Sequence, residues 1–95
     1  MKITIAVRHF DASQKLKDFA TKELTRLEKY FEGKISSNII LEENGSAKKV
    51  EMRATAFGKI FVSNIDGADF YKIIPKTVDK LENQLKSAKS KSFGR

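Results

Sequence analysis

Ile3, Ile5 and Val7 alternate with Lys2, Thr4, Ala6 and Arg8, which is the two-residue period of a strand with one buried face. After His9 and Phe10 the period changes. Leu16, Phe19, Ala20, Leu24, Leu27 and Phe31 recur three and four apart, predicting a helix capped by Ser13 and running to about residue 31. Gly33 follows, where a helix is stopped by a left-handed residue. A second strand is predicted over residues 35–42, with Ile35, Ile39 and Leu41 on one face, and Asn44-Gly45 marks a turn. A third strand over residues 48–57 places Val50, Met52, Ala54 and Ala56 together. Gly58-Lys59 is then read as a two-residue hairpin pairing Phe57 with Ile60 and Ala56 with Phe61. That register sends Phe61, Ser63 and Ile65 to the face of Ala54 and Ala56. Asp69 caps a last helix carrying Phe70, Ile73, Ile74, Val78, Leu81, Leu85 and Ala88. Pro75 removes the bond to the Tyr71 carbonyl and disfavours helical geometry at Ile74, so a kink or a short separate first turn is expected there.

The order is β-α-β-β-β-α. A right-handed first crossover makes strands one and two parallel, and the rest form an antiparallel meander. The expected fold class is therefore α+β: a two-layer sandwich with a four-stranded mixed sheet and both helices on one face. A chain of 95 residues has room for one core. Residues 1–90 are expected to form a single domain and residues 91–95 a flexible basic tail.

Charge narrows the partner class. Nineteen Lys and Arg against twelve Asp and Glu leave a net charge of +7, which points to an anionic partner, nucleic acid before membrane. Chemistry is harder to find. No cysteine is present, which excludes disulfides and a thiolate zinc site. His9 is the only histidine, so a nucleophile–base pair or a transition-metal site has little to build on. Glu42 and Glu43 point to opposite sheet faces, and Asp79 and Glu82 lie among lysines, the pattern of solvated charges and not of acid–base pairs. The glycines form no phosphate-cradling loop. Neither a catalytic centre, a metal nor a cofactor is expected. The apolar run at the start is short and stopped by Arg8-His9, and no stretch reaches transmembrane length, so the expected address is cytoplasmic, away from membranes.

What remains is the arrangement of charge. Lys15, Lys22, Arg26 and Lys29 keep to one stripe of the first helix. Lys72, Lys76 and Lys80 follow at spacings of four on the last, extended by Lys86, Lys89 and Lys91. Side by side, the two helices would merge these rows into a positive surface for phosphates. Solvation alone accounts for part of the pattern, since Asp18 can pair with Lys22 and Glu82 with Lys86. Arg26 and Lys89 have no acid four positions before them. If about six phosphates are neutralised, affinity falls about a thousandfold between low and moderate salt. In the same register Ile40, Phe57, Ile60 and Val62 face away from the helices and form a possible partner surface.

Leu27-Glu28-Lys29-Tyr30-Phe31, Asp69-Phe70-Tyr71 and Asp79-Lys80-Leu81-Glu82-Asn83-Gln84-Leu85-Lys86, with Arg8-His9 and Ala56-Phe57-Gly58, resemble the ribosome hibernation factors. These are the hibernation promoting factor and ribosome-associated inhibitor proteins, also called sigma-54 modulation proteins, and the likeness spans nearly the whole chain. The resemblance implies the fold read above, similar to a double-stranded-RNA-binding domain with an added first strand. It also implies a translation inhibitor that occupies the mRNA–tRNA channel of the small ribosomal subunit through rRNA backbone contacts. Carried over, the RNA-binding residues are Lys22, Arg26, Lys29, Lys80, Lys86 and Lys89, with Arg8 and His9 beside them. Asn83 stands where the family usually has Arg, and Glu23 where Lys is common. The chain stops without a dimerising domain, so a short form is expected, a monomer when free, with rRNA and not DNA as partner. Two other readings stay open: a general RNA-binding module, and a protein-interaction domain using the outer sheet face.

Overall fold

A computed structural model of the chain describes residues 2–30 and 35–93, with the side chains of residues 29, 30 and 89–93 left aside. The elements are β1 (Lys2–Arg8), α1 (Gln14–Leu24), a 3-10 segment (Thr25–Tyr30), β2 (Ser36–Asn44), β3 (Ala47–Ala56), β4 (Lys59–Gly67) and α2 (Phe70–Phe93). The sheet has four strands in the order β1-β2-β3-β4. β1 runs parallel to β2, and the other neighbours are antiparallel. This is the expected mixed α+β architecture.

The core lies between sheet and helices. Leu16, Ala20, Leu24 and Leu27 of the first helical stretch, Ile35, Ile39 and Leu41 at β2, Val50, Met52 and Ala54 of β3, and Ile73, Ile74, Val78, Leu81 and Leu85 of α2 are buried in one cluster. Ser13 caps α1 by accepting from the Leu16 amide at 3.1 Å, as its side-chain oxygen is placed to do. The first helix is shorter than its apolar stripe suggests. After Leu24 the chain tightens into 3-10 geometry, and Thr25 donates its hydroxyl to the Lys22 carbonyl at 2.6 Å, a back-bond that competes with the regular ladder. Phe31 and Gly33, the expected end of that helix, lie outside the described residues.

Pro75 does not divide α2, which is continuous through it. The bond it forfeits is one, in the first turns of the helix, and two buried bonds anchor the following turn. Thr77 donates to the Ile73 carbonyl at 2.8 Å, and Ser63 on β4 donates to the Thr77 carbonyl at 2.8 Å. The backbone is helical to Phe93, so the expected tail from residue 91 overlaps the end of α2, and residues 94–95 lie outside the described residues.

Both hairpins turn one residue away from the expected place. Asn44 pairs with Ala47, leaving Gly45-Ser46 at the tip. Ala56 pairs with Lys59, leaving Phe57-Gly58 at the other. Phe57 and Gly58 have φ of 56° and 71°, the double positive φ of a type I′ turn, whose twist suits a tight hairpin. The corrected pairing differs from the expected one by two residues, so β4 keeps its faces.

Gly67, at the junction of β4 and α2, lets the helix approach closely: a Cβ there would lie 2.5 Å from Ile73 Cγ2. Gly67→Ala is expected to destabilise the fold by about 1–3 kcal/mol through overpacking. Urea unfolding measures this, and an unchanged midpoint would mean that α2 can shift outward at no cost.

Candidate nucleic-acid interface

Lys72, Lys76 and Lys80 are all exposed on α2. Four residues advance a helix by ~40°, so they form one slanting row. Its position is fixed by what it touches. The Lys80 ammonium lies 3.5 Å from the Asn64 carbonyl, and Gln84 donates to the Val62 carbonyl at 2.8 Å. The row therefore occupies the flank of α2 over the β4 edge, and these two side chains occupy carbonyls that an edge strand leaves open. On α1, Lys15 and Lys22 are exposed. Asp18, the expected partner of Lys22, instead accepts from Gln14 at 2.9 Å. No carboxylate forms a salt bridge with Lys15, Lys22, Lys72, Lys76 or Lys80 among the described residues. Lys86 is exposed further along α2, and the side chains of Lys29 and Lys89 lie outside the described residues.

The two rows do not merge. Between the helices runs a seam in which Phe19 packs against Tyr71 with ring centroids 5.0 Å apart. There Arg26 binds Asp79 of α2 at 2.7 Å and Glu23 at 3.7 Å. The hydrogen bond to Asp79 raises the Arg26 pKa; burial opposes this, and the nearby carboxylates of Glu23, Asp79 and Glu82 add to the rise. Its acidic partners come from i−3 and from the other helix, not from the i−4 position where a single-helix pattern looks. Of the expected contacts, Arg26 is thus a bridge whose charge is already matched, while Lys22 and Lys80 make no salt bridge among the described residues.

Arg8 and His9 stand apart from this surface. The inward residues of β1 are Ile3, Ile5 and Val7, so Arg8 faces away from the helices. There it heads a row of alternating sign, Arg8–Glu42–Lys49–Asp66, the pattern of a solvated sheet face. His9 is exposed with φ of 69°, at the tight exit from β1.

The expected apolar outer patch is also split. Ile60 and Val62 are exposed on β4, 68% and 39%. Ile40 is half-buried on β2, and the Arg53–Glu51 ion pair of β3, 2.8 Å long, lies between them. Phe57 does not belong to that face. Placing the turn at Phe57-Gly58 takes it out of the strand's alternation, and its ring lines a groove of about 690 Å³ with Lys59, Phe61, Asn83, Gln84 and Ser87, beside α2. The sequence reading missed this groove; its signal was Gly58, which suits the second position of a type I′ turn as well as the first.

Over residues 3–92 the sequence matches the family described as Sigma 54 modulation protein / S30EA ribosomal protein. It is 31% identical over 91 residues to a ribosome hibernation promoting factor of Pseudomonas putida, covering 96% of this chain and 89% of that one. To the ribosome hibernation promoting factor of Azotobacter vinelandii it is 28% identical over 95 residues, covering 100% and 89%. Its fold is similar to the Protein Y N-terminal domain of Thermus thermophilus, with a TM-score of 0.84, 27% identity and coverage of 92% and 98%. It is also similar to a ribosomal subunit interface protein from Coxiella burnetii, with a TM-score of 0.85, 26% identity and coverage of 95% and 99%. An α+β sandwich that carries exposed lysine rows on its helices, matched along almost its full length, belongs to the sigma 54 modulation / S30EA ribosomal protein family.

Proposed function

We propose that this protein binds the small ribosomal subunit and silences translation by occupying the mRNA–tRNA channel, with helix-borne lysines on the rRNA backbone. The observation that carries the reading is the exposed set Lys15, Lys22, Lys72, Lys76 and Lys80, none salt-bridged among the described residues. An unmatched ammonium on a rigid helix is available to a phosphate, and releasing the counterions held there drives association. Folded RNA is recognised largely through backbone and shape, because its deep major groove hides the base edges. The names of the relatives from Pseudomonas putida and Azotobacter vinelandii, ribosome hibernation promoting factors, support the same reading.

In this reading Lys22, Lys80 and Lys86 are contacts, joined by Lys72 and Lys76. Arg26, on the 3-10 segment, is paired with Asp79 of α2 in place of phosphate, and Arg8 and His9 lie off the contact surface. No bond is made or broken: filling the channel is enough to stop translation, and the protein works in the cytoplasm with the ribosomes. A general RNA-binding module would instead bind isolated duplexes as tightly as subunits.

Co-sedimentation with small ribosomal subunits across a salt series tests this. With about five phosphates neutralised, affinity falls on the order of 500-fold between 50 and 200 mM salt. The Lys22/Lys76/Lys80/Lys86→Glu variant stays unbound throughout. Wild-type protein that remains unbound at low salt overturns the reading. Equal affinity for an isolated RNA duplex turns it into the general module.

Asp79→Asn separates the two roles of the positive residues. The exposed bridge is worth only about 0–1 kcal/mol, so the unfolding midpoint hardly moves. Losing the matched carboxylate frees Arg26 for phosphate, and the salt dependence of subunit binding steepens by up to ~1 in slope. An unchanged slope would show that Arg26 never reaches RNA.

A further inference from the structure

A type I′ turn favours Asn-Gly, because both central residues need positive φ and asparagine tolerates it. Here the first of them is Phe57, at φ 56°. A bulky side chain in left-handed geometry is an outlier that carries strain, and such strain collects where a side chain is needed in a set direction. The ring it presents is 36% exposed. It lines the groove between the β3–β4 tip and α2, whose described lining also includes Phe61, Lys59, Asn83 and Ser87.

The geometry points to this groove as a site for one unpaired base of an RNA strand, stacked on Phe57; the inference rests on the RNA reading above. Three features fit that ligand. The rings of Phe57 and Phe61 in the lining offer π-faces, on which bases stack whatever their identity. The groove's volume, about 690 Å³, lies within the range of small-molecule sites. The rim is polar on the α2 side: the exposed Asn83 carries both an amide donor and an acceptor for a base edge, and Lys59 supplies an exposed cation at the hairpin tip.

The groove is also continuous with the lysine row. Asn83 and Ser87 follow Lys76 and Lys80 at spacings of seven, so they extend the same slanting face of α2. A strand whose phosphates follow Lys72, Lys76 and Lys80 is led to the hairpin tip, where its next base meets Phe57. Gln84, which also lines the groove, is held by its bond to the Val62 carbonyl. It serves as wall, leaving Asn83 to read the base. A second protein copy or an apolar peptide would have no use for the lysine row that leads in.

The probe is a single-stranded RNA hexamer containing one 2-aminopurine, whose fluorescence is quenched when it stacks, used beside purified small subunits. Wild-type protein quenches the probe. Phe57→Asn weakens probe binding between about 5- and 150-fold, while its melting temperature stays level or rises, since Asn-Gly suits the turn better. Phe57→Tyr, which keeps the ring, restores quenching and shows that stacking, not the hairpin as such, is at issue. Quenching by Phe57→Asn equal to wild type overturns the proposal, as does absence of quenching by wild type, even if subunit binding persists. A Phe57→Asn variant that changes only the sedimenting mass of the free protein also overturns it, in favour of a second copy in the groove. If wild type quenches the probe but does not sediment with subunits, the base site stands and the ribosomal reading fails.

Discussion

Everything on the helical side of this molecule depends on how closely α2 lies on β3 and β4. The strands present small residues where the helix crosses: Ala54, Ala56 and Ser63 are buried, and Gly67 leaves no room for a methyl beside Ile73. Against them α2 sets Ile73, Ile74, Val78, Leu81 and Leu85. Large residues on one side of the interface thus meet small ones on the other, the complementarity that close packing requires. The polar atoms drawn into it are matched, Ser63 to the Thr77 carbonyl and Thr77 to the Ile73 carbonyl. That contact fixes the rotation of the helix about its axis. The rotation decides which residues of α2 meet α1, which meet the β4 edge, and which meet solvent.

The electrostatic design follows from that rotation. Two basic helices laid side by side repel each other, and the seam between them is where repulsion would be greatest. Arg26 occupies it as a cation with acidic partners on both sides, Glu23 of its own chain segment and Asp79 across the gap. Lys15 and Lys22 on one helix and Lys72, Lys76 and Lys80 on the other are exposed, spaced along two flanks. Positive charge is thus concentrated where a polyanion can reach it and balanced where it would push the fold apart. A net charge of +7 on 95 residues then costs the folded state little and still steers association.

How far the sequence goes toward this picture depends on the range of the interaction involved. Strand faces and helix stripes are local periodicities, and they gave the right element order and the right core. The hairpin tip shows why that reading is robust. Pairing Ala56 with Phe61 was wrong, but it differs from the pairing with Lys59 by two residues, the side-chain period, so every residue of β4 kept its face. Phe57 itself could not be placed this way, because a turn residue obeys no alternation. Arg26 was beyond reach for a different reason: its partner Asp79 is 53 residues away, and only the packing of α1 on α2 brings them together. The end of α1 turned on a single hydroxyl, that of Thr25, which no count of apolar spacing registers. The separate first turn offered as one outcome at Pro75 does not form, because the lost ladder bond is offset by the buried bonds that hold the next turn.

Charge and shape divide the work of recognition unequally. A row of lysines neutralises any phosphate backbone of suitable curvature, so it supplies affinity that falls with salt and carries no address of its own. The residues that could add selectivity are few, and they are not lysines. Asn83 interrupts the basic face of α2 with an amide, which forms directional bonds that an ammonium does not. Phe57 sits in a turn geometry that asparagine would occupy with less strain. Both residues give something up, a charge in one case and turn stability in the other, and they border the same groove. A surface shaped only to hold phosphates would gain from neither substitution, and their meeting at one place is what separates this end of the molecule from the lysine-covered remainder.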